Sequence, residues 1–131
     1  MKRISLLLFL FLAFTSFSSA KKPLWLSGVW EGTGTQPSAN NETWTILATL
    51  DPVNNVYKIE YPSLNCGGSW SLVKAGKDKA EFKEQITKGM NLCTLTGKVI
   101  LTKTDDDHLE YAYYNVGAKT KDSYGTLTRR K

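Results

Sequence analysis

Two charged side chains fall where the surrounding pattern calls for apolar ones. Glu84 lies between Phe82 and Ile86, and Arg129 lies two residues beyond Leu127, in segments that alternate apolar and polar residues. A buried charge is costly unless it is paired, so each needs a partner or a position at a wet opening. The two can pair with each other. Alternatively, Glu84 can accept hydrogen bonds from the inward hydroxyls of Tyr57, Tyr61, Tyr111 or Tyr113. The functional reading is a polar anchor at the floor of a ligand cavity lined by Tyr57, Tyr61, Trp70, Glu84, Tyr111 and Tyr113. The structural reading is a satisfied pair closing a filled core. Glu84 is also the one attractive acid–base group, were the chain an enzyme.

Other reactive constellations are sparse, and no enzyme is expected. There is no G-x-S-x-G and no H-E-x-x-H, and a single histidine, His108, would have to serve any Ser/His/Asp set. Asp105, Asp106 and Asp107 beside His108 lack the spaced ligands and glycine of an EF-hand loop and read as a tight turn. Two cysteines and one histidine cannot make a four-ligand zinc site without carboxylates, so neither metal nor cofactor is expected. Asn41-Glu42-Thr43 fits a glycosylation sequon, which matters only in a cell with that machinery. Cys66 and Cys93, 27 positions apart, are better suited to a disulfide worth about 3 kcal/mol. The segment from Tyr61 to Trp70, with Pro62, the pair Gly67-Gly68 and Cys66, reads as a rigidified corner or binding rim.

A disulfide requires an oxidising compartment, and the N-terminus supplies the route. Lys2 and Arg3 precede an apolar run over 4–14, and small residues end in Ser18 and Ala20 at the −3 and −1 positions of a cleavage site. The apolar run is about half of the roughly 20 residues a spanning helix needs. Residues 1–20 are therefore expected to be a cleaved secretory signal, leaving 21–131 as one secreted or periplasmic domain with no transmembrane segment. Removing Lys2 and Arg3 lowers the formal charge from +5 to +3. That modest excess, gathered partly in Lys21-Lys22 and Arg129-Arg130-Lys131, makes nucleic acid an unsuitable partner.

The elements that must position Glu84 and the tyrosines are strands. Beyond residue 20 no helical stripe of useful length occurs, and turn residues recur every 8–14 positions. Strands are predicted at 28–36, 42–50, 56–61, 69–74, 80–87, 93–103, 108–114 and 123–130. Eight strands with hairpin-length connections suit an all-β, antiparallel up-and-down barrel, whose closure removes both edges. Period-two alternation assigns an inward face that includes Trp30, Trp44, Ile46, Ile59, Tyr61, Trp70, Phe82, Glu84, Leu95, Val99, Tyr111 and Leu127.

Gly28-Val29-Trp30 at the head of the first strand resembles the G-x-W signature of calycin barrels, the superfamily of lipocalins, fatty-acid-binding proteins and avidins. That resemblance implies that Trp30 closes one end and that a basic residue of the last strand, Arg129 (or Arg130), packs across its indole. The segments Y-P-S-L-N-C-G-G-S-W, F-K-E-Q-I-T-K-G-M-N-L-C and G-T-L-T-R also resemble a small domain of secreted bacterial proteins. Similar segments occur in extracellular parts of some bacterial receptor-like serine/threonine kinases. By analogy this implies an extracytoplasmic binding or sensing role. Two functions follow as expectations. One is a non-enzymatic exported barrel that binds a small molecule or a cell-envelope component. The other is a protein–protein module, such as an inhibitor of a secreted or periplasmic enzyme, for which an acidic partner would suit the basic charge. The oligomeric state is not encoded in these patterns.

Overall fold

A computed structural model describes residues 22–131. The leader expected over 1–20 lies outside the described residues. Eight antiparallel strands follow one another around a closed barrel: β1 (Gly28–Gln36), β2 (Glu42–Asp51), β3 (Val56–Tyr61), β4 (Cys66–Ala75), β5 (Lys79–Lys88), β6 (Thr96–Asp105), β7 (His108–Tyr114) and β8 (Ser123–Arg129). Each strand pairs with its sequence neighbours, and β1 pairs with β8 to close the ring. The expected up-and-down barrel is the observed fold.

Alternation explains why the ring closes as it does. Ile46, Ala48, Ile59, Phe82, Ile86, Val99, Leu101, Leu109 and Leu127 all point inward and are buried, while the outward positions beside them are mostly polar, with Leu47 and Ile100 as exceptions. A one-residue slip of any strand would turn its apolar set to water, so each register is fixed by the interior it fills. Fully burying one such aliphatic or aromatic side chain contributes about 1.5–3 kcal/mol.

One end of the barrel is sealed. A single 3₁₀ turn, Leu24–Leu26, lies across it, with Leu26 buried and the Trp25 indole N–H donating to the Gly76 carbonyl at 3.1 Å. Trp30 is fully buried, and its Nε1–H donates to the Leu26 carbonyl at 2.8 Å. Trp30 and Arg129 are direct cross-strand partners in the β1–β8 ladder, and the guanidinium carbon sits 4.2 Å from the indole centroid. The remaining guanidinium donors go to the carbonyls of Ser27, Trp25 and Asp106. Gly28 makes this close approach possible. Its φ is +131°, and a Cβ there would lie 2.9 Å from Arg129 Nη1. Arg129, rather than Arg130, is thus the residue over Trp30, while Arg130 points outward to Glu31 at 2.7 Å.

Three local expectations differ from the structure. The fourth strand begins at Cys66, three residues early, because Gly67 and Gly68 pair within the sheet at a register shift instead of forming a turn. The sixth strand begins at Thr96 instead of Cys93. After Gly89, whose φ is +65°, the chain leaves the ladder and returns only where the Ile86 N–H meets the Leu95 carbonyl. Leu95 therefore lies outside the barrel, 43% exposed, and is not a core residue. Cys93 instead sits in the β5–β6 connection, bridged to Cys66 at the start of β4 with a Cα–Cα distance of 6.4 Å.

Candidate functional site

The end opposite Trp30 is open. There β3 ends in Tyr61, β7 ends near Tyr111 and Tyr113, and β5 carries Glu84 one step inside the rim. Together they border a cavity of about 330 Å³. Its outer rim is completed by Trp44 of β2, Leu64 of the Pro62–Leu64 turn, Leu92 to Thr94 of the disulfide-tethered connection, and Asp122 before β8.

Glu84 is 2% exposed and is held from two sides. In the β4–β5 ladder it lies directly opposite Trp70, whose Nε1–H donates to Glu84 Oε1 at 3.0 Å. The Tyr61 hydroxyl donates to the same oxygen and lies 2.8 Å from the Tyr111 hydroxyl. A hydroxyl has one proton. With Tyr61 donating to Glu84, Tyr111 donates to Tyr61, and a directed chain runs from Tyr111 through Tyr61 to the carboxylate. Oε2 receives no hydrogen bond from any described residue. No fully buried side-chain oxygen or nitrogen among the described residues lacks a partner, so Oε2 keeps a small exposure, and the space Glu84 borders is the mouth cavity.

Burial sets the protonation preferences of this group. Desolvation pushes the Glu84 carboxyl above its ordinary range, against the Trp70 and Tyr61 hydrogen bonds that favour the anion. Burial also raises the Tyr61 and Tyr111 hydroxyls well above the usual phenol value, with the nearby Glu84 charge acting in the same direction. Tyr113 is pushed up to about 12 by burial and by Glu84 and Asp122. The tyrosines remain neutral hydrogen-bonding groups at any physiological pH.

Glycine makes room for the aromatic rim. On its other side Glu84 faces Gly97 of β6, and the Tyr113 ring lies on that glycine so closely that a Cβ would collide with its hydroxyl oxygen. In this position the Tyr113 hydroxyl donates to the Thr96 carbonyl at 3.1 Å. The Trp44 indole lies over Gly34 in the same manner. At the rim Gln36 Nε2 donates to both oxygens of Asp122 at 3.1 and 3.2 Å, and Asn115 Nδ2 donates to one of them at 3.3 Å.

Of the six residues singled out from the sequence, the structure brings Tyr61, Glu84, Tyr111 and Tyr113 to the cavity wall. Trp70 stands behind that wall, holding Glu84 and stacking on Tyr111 with ring centroids 6.4 Å apart. Tyr57 is not at this end. It lies edge-on to Phe82 at 5.0 Å and borders a separate groove with Pro23 and Leu72. Glu84 and Arg129 do not pair, since Arg129 is spent on the sealed end. Sequence reasoning overlooked Gln36, Trp44 and Ser123 as site residues, although extending the inward alternation of β1, β2 and β8 to the strand ends reaches all three. Leu64, Leu92 and Asp122 come from connections, where no periodicity marks them. The Asp105 carboxylate, at the end of β6, accepts from the Asp107 N–H at 2.8 Å and contacts His108 Nδ1 at 2.8 Å.

No protein-family model and no curated protein matches the chain. Among solved structures, a redesigned β-barrel superposes with a TM-score of 0.60 at 16% identity, covering 87% of this chain and 99% of that one. EF1p2_mFAP2b bound to DFHBI superposes with a TM-score of 0.55 at 15% identity, covering 83% of this chain and 97% of that one. At such identities the likeness is one of fold. The chain is a small closed β-barrel.

Proposed function

We propose that this is an exported, non-enzymatic barrel of the calycin type that binds a small molecule in its mouth cavity. The observation that carries the reading is Glu84 Oε2. It belongs to a nearly buried carboxylate whose other oxygen takes both protein donors, and it is left open to a cavity walled by tyrosines. A core built only for stability would have little reason to keep a desolvated carboxylate half-satisfied beside open space. The volume, about 330 Å³, lies at the lower end of the roughly 300–1,000 Å³ typical of ligand sites. That EF1p2_mFAP2b is bound to DFHBI supports the reading by analogy of shape.

The remaining parts rest on other observations. The Arg129–Trp30 contact at the sealed end supports calycin kinship. The basic, apolar and small-residue sequence of 1–20, together with the Cys66–Cys93 bridge, supports export. A sensing role, by resemblance to extracellular parts of bacterial receptor-like kinases, is the finer form of the same proposal.

Native mass spectrometry of the protein purified from its own compartment tests the reading. The expected result is a retained low-mass species released on denaturation and absent from the Glu84→Gln protein. A co-purifying protein with an empty cavity would instead favour the protein–protein module and remove the small-molecule reading.

A further inference from the structure

Among the described residues, the charges around the mouth cavity are all of one sign. Its ionisable carboxylates are Glu42, Glu84 and Asp122, and no Lys, Arg or His among the described residues borders it. This occurs in a chain with 17 basic against 12 acidic residues, so chance composition favours the opposite sign. Nor are the three neutralised from outside the lining. The ion pairs among the described residues use Glu31, Glu60, Asp105, Asp106 and Asp107, and none reaches the cavity carboxylates. Asp122 is held by the amides of Gln36 and Asn115, which fix its position and leave its charge intact.

The neutral part of the lining is aromatic. Trp44, Tyr61, Tyr111 and Tyr113 border the same space, and aromatic faces attract cations through the negative side of their quadrupole. Carboxylates in a low-dielectric cleft focus a negative potential that concentrates cations and repels anions. Glu84 Oε2 receives no hydrogen bond from any described residue and suits an N–H⁺ group, which makes a stronger hydrogen bond to it than a neutral donor would.

Resting on the small-molecule reading above, we infer that the cavity takes a compact organic cation, a protonated primary amine on a small apolar body. Its ammonium group donates to Glu84 Oε2 at the cavity floor. Its body lies among Tyr61, Tyr111, Tyr113 and Trp44, and Asp122 and Glu42 at the rim draw it inward.

Three probes of similar shape and different charge test this: 2-phenylethylamine, 2-phenylethanol and phenylacetate, titrated into the full chain with the tyrosine and tryptophan side chains followed by NMR. The amine is expected to bind at least tenfold tighter than the alcohol, with phenylacetate weakest. Glu84→Gln should bring the amine to the alcohol's affinity, and Asp122→Asn should weaken the amine several-fold while sparing the alcohol. Glu31→Gln, a carboxylate removed from the outer wall, should change neither. If the alcohol or phenylacetate shifts the same residues with equal or higher affinity, the cation inference is wrong and the small-molecule reading stands. If no probe perturbs Tyr61, Tyr111 or Tyr113 at millimolar concentration, the cavity does not take compact ligands and both readings fall.

Discussion

Replacing Glu84 by Gln keeps the shape of the side chain and its Oε1 acceptor, removes the charge and turns Oε2 into an amide donor. The Tyr61 hydroxyl and the Trp70 indole N–H keep their partner, and the new amide nitrogen takes the place of Oε2, facing the cavity. In the unfolded chain a Glu carboxyl titrates near about 4.3, whereas desolvation holds the native Glu84 carboxyl higher. The native state therefore binds this proton more tightly than the unfolded state. Its stabilising contribution is complete below the unfolded value and is lost as pH rises through the raised native value. Across that window the wild-type protein should lose up to about 1.4 kcal/mol per pH unit relative to Glu84→Gln, with a flat difference above it. Asp51 and Asp105, whose carboxyls are lowered by hydrogen bonds from Asn54 and from the Asp107 N–H, slope the other way. They are common to both proteins and cancel in the difference. Glu84→Ala is the contrasting variant. It leaves the Trp70 N–H without an acceptor, at a cost of about 1–3 kcal/mol, and should be less stable than wild type at every pH. Urea midpoints followed by tryptophan fluorescence between pH 4 and 8 measure all three. If Glu84→Gln is the less stable protein at pH 7 and the deficit grows as pH rises, the carboxylate is a stabilising anion and the desolvation argument is refuted.

Arg129→Lys should lower stability by about 1–3 kcal/mol in urea, because an ammonium cannot both cover Trp30 and serve three carbonyls; probe binding at the far end should not change, and a weakened amine affinity would show that the two ends are coupled. Replacing both Cys66 and Cys93 by Ser should remove about 3 kcal/mol and speed amide exchange in the connection that carries Leu92 and Thr94, with unchanged exchange there counting against its tether. Gly97→Ala should cost about 1–3 kcal/mol through overpacking against the Tyr113 ring and alter the near-UV circular dichroism of the tyrosines. A neutral effect on both would mean that the ring has room to move.

How much of this was legible beforehand depended on what alternation encodes. Period two says which face a residue occupies, and it placed the inward aliphatics other than Leu95, together with Tyr61, Glu84 and Tyr111, correctly because one slip would have exposed them all. It says nothing about height along the barrel, which strand tilt and stagger determine. Tyr57 and Tyr61 share a strand and a face, yet four residues at about 3.3 Å each separate them by about 13 Å, enough to put them at opposite ends. The same blindness hid the division of labour between Glu84 and Arg129, two inward charges that belong to different ends. The early start of β4 was masked because Gly67-Gly68 reads as a turn, whereas the sheet uses Gly67 for close approach to β3 and Gly68 for close approach to β5. The mouth residues Leu64, Leu92 and Asp122 lie in connections, where position follows from the strands they join and from the disulfide, not from any local pattern.

The plug of Leu26, Trp30 and Arg129 bears on traffic as well as on stability. A barrel open at both ends is a conduit, through which one molecule can be displaced by another following behind it. With one end stoppered, the vessel is a cup, and whatever occupies the Glu84 floor must leave by the rim it came in over. Arrival and departure then share a single doorway, bordered on one side by a strap stitched down through Cys93. For the small molecule proposed above, exchange would then have to wait for the seat to be vacated.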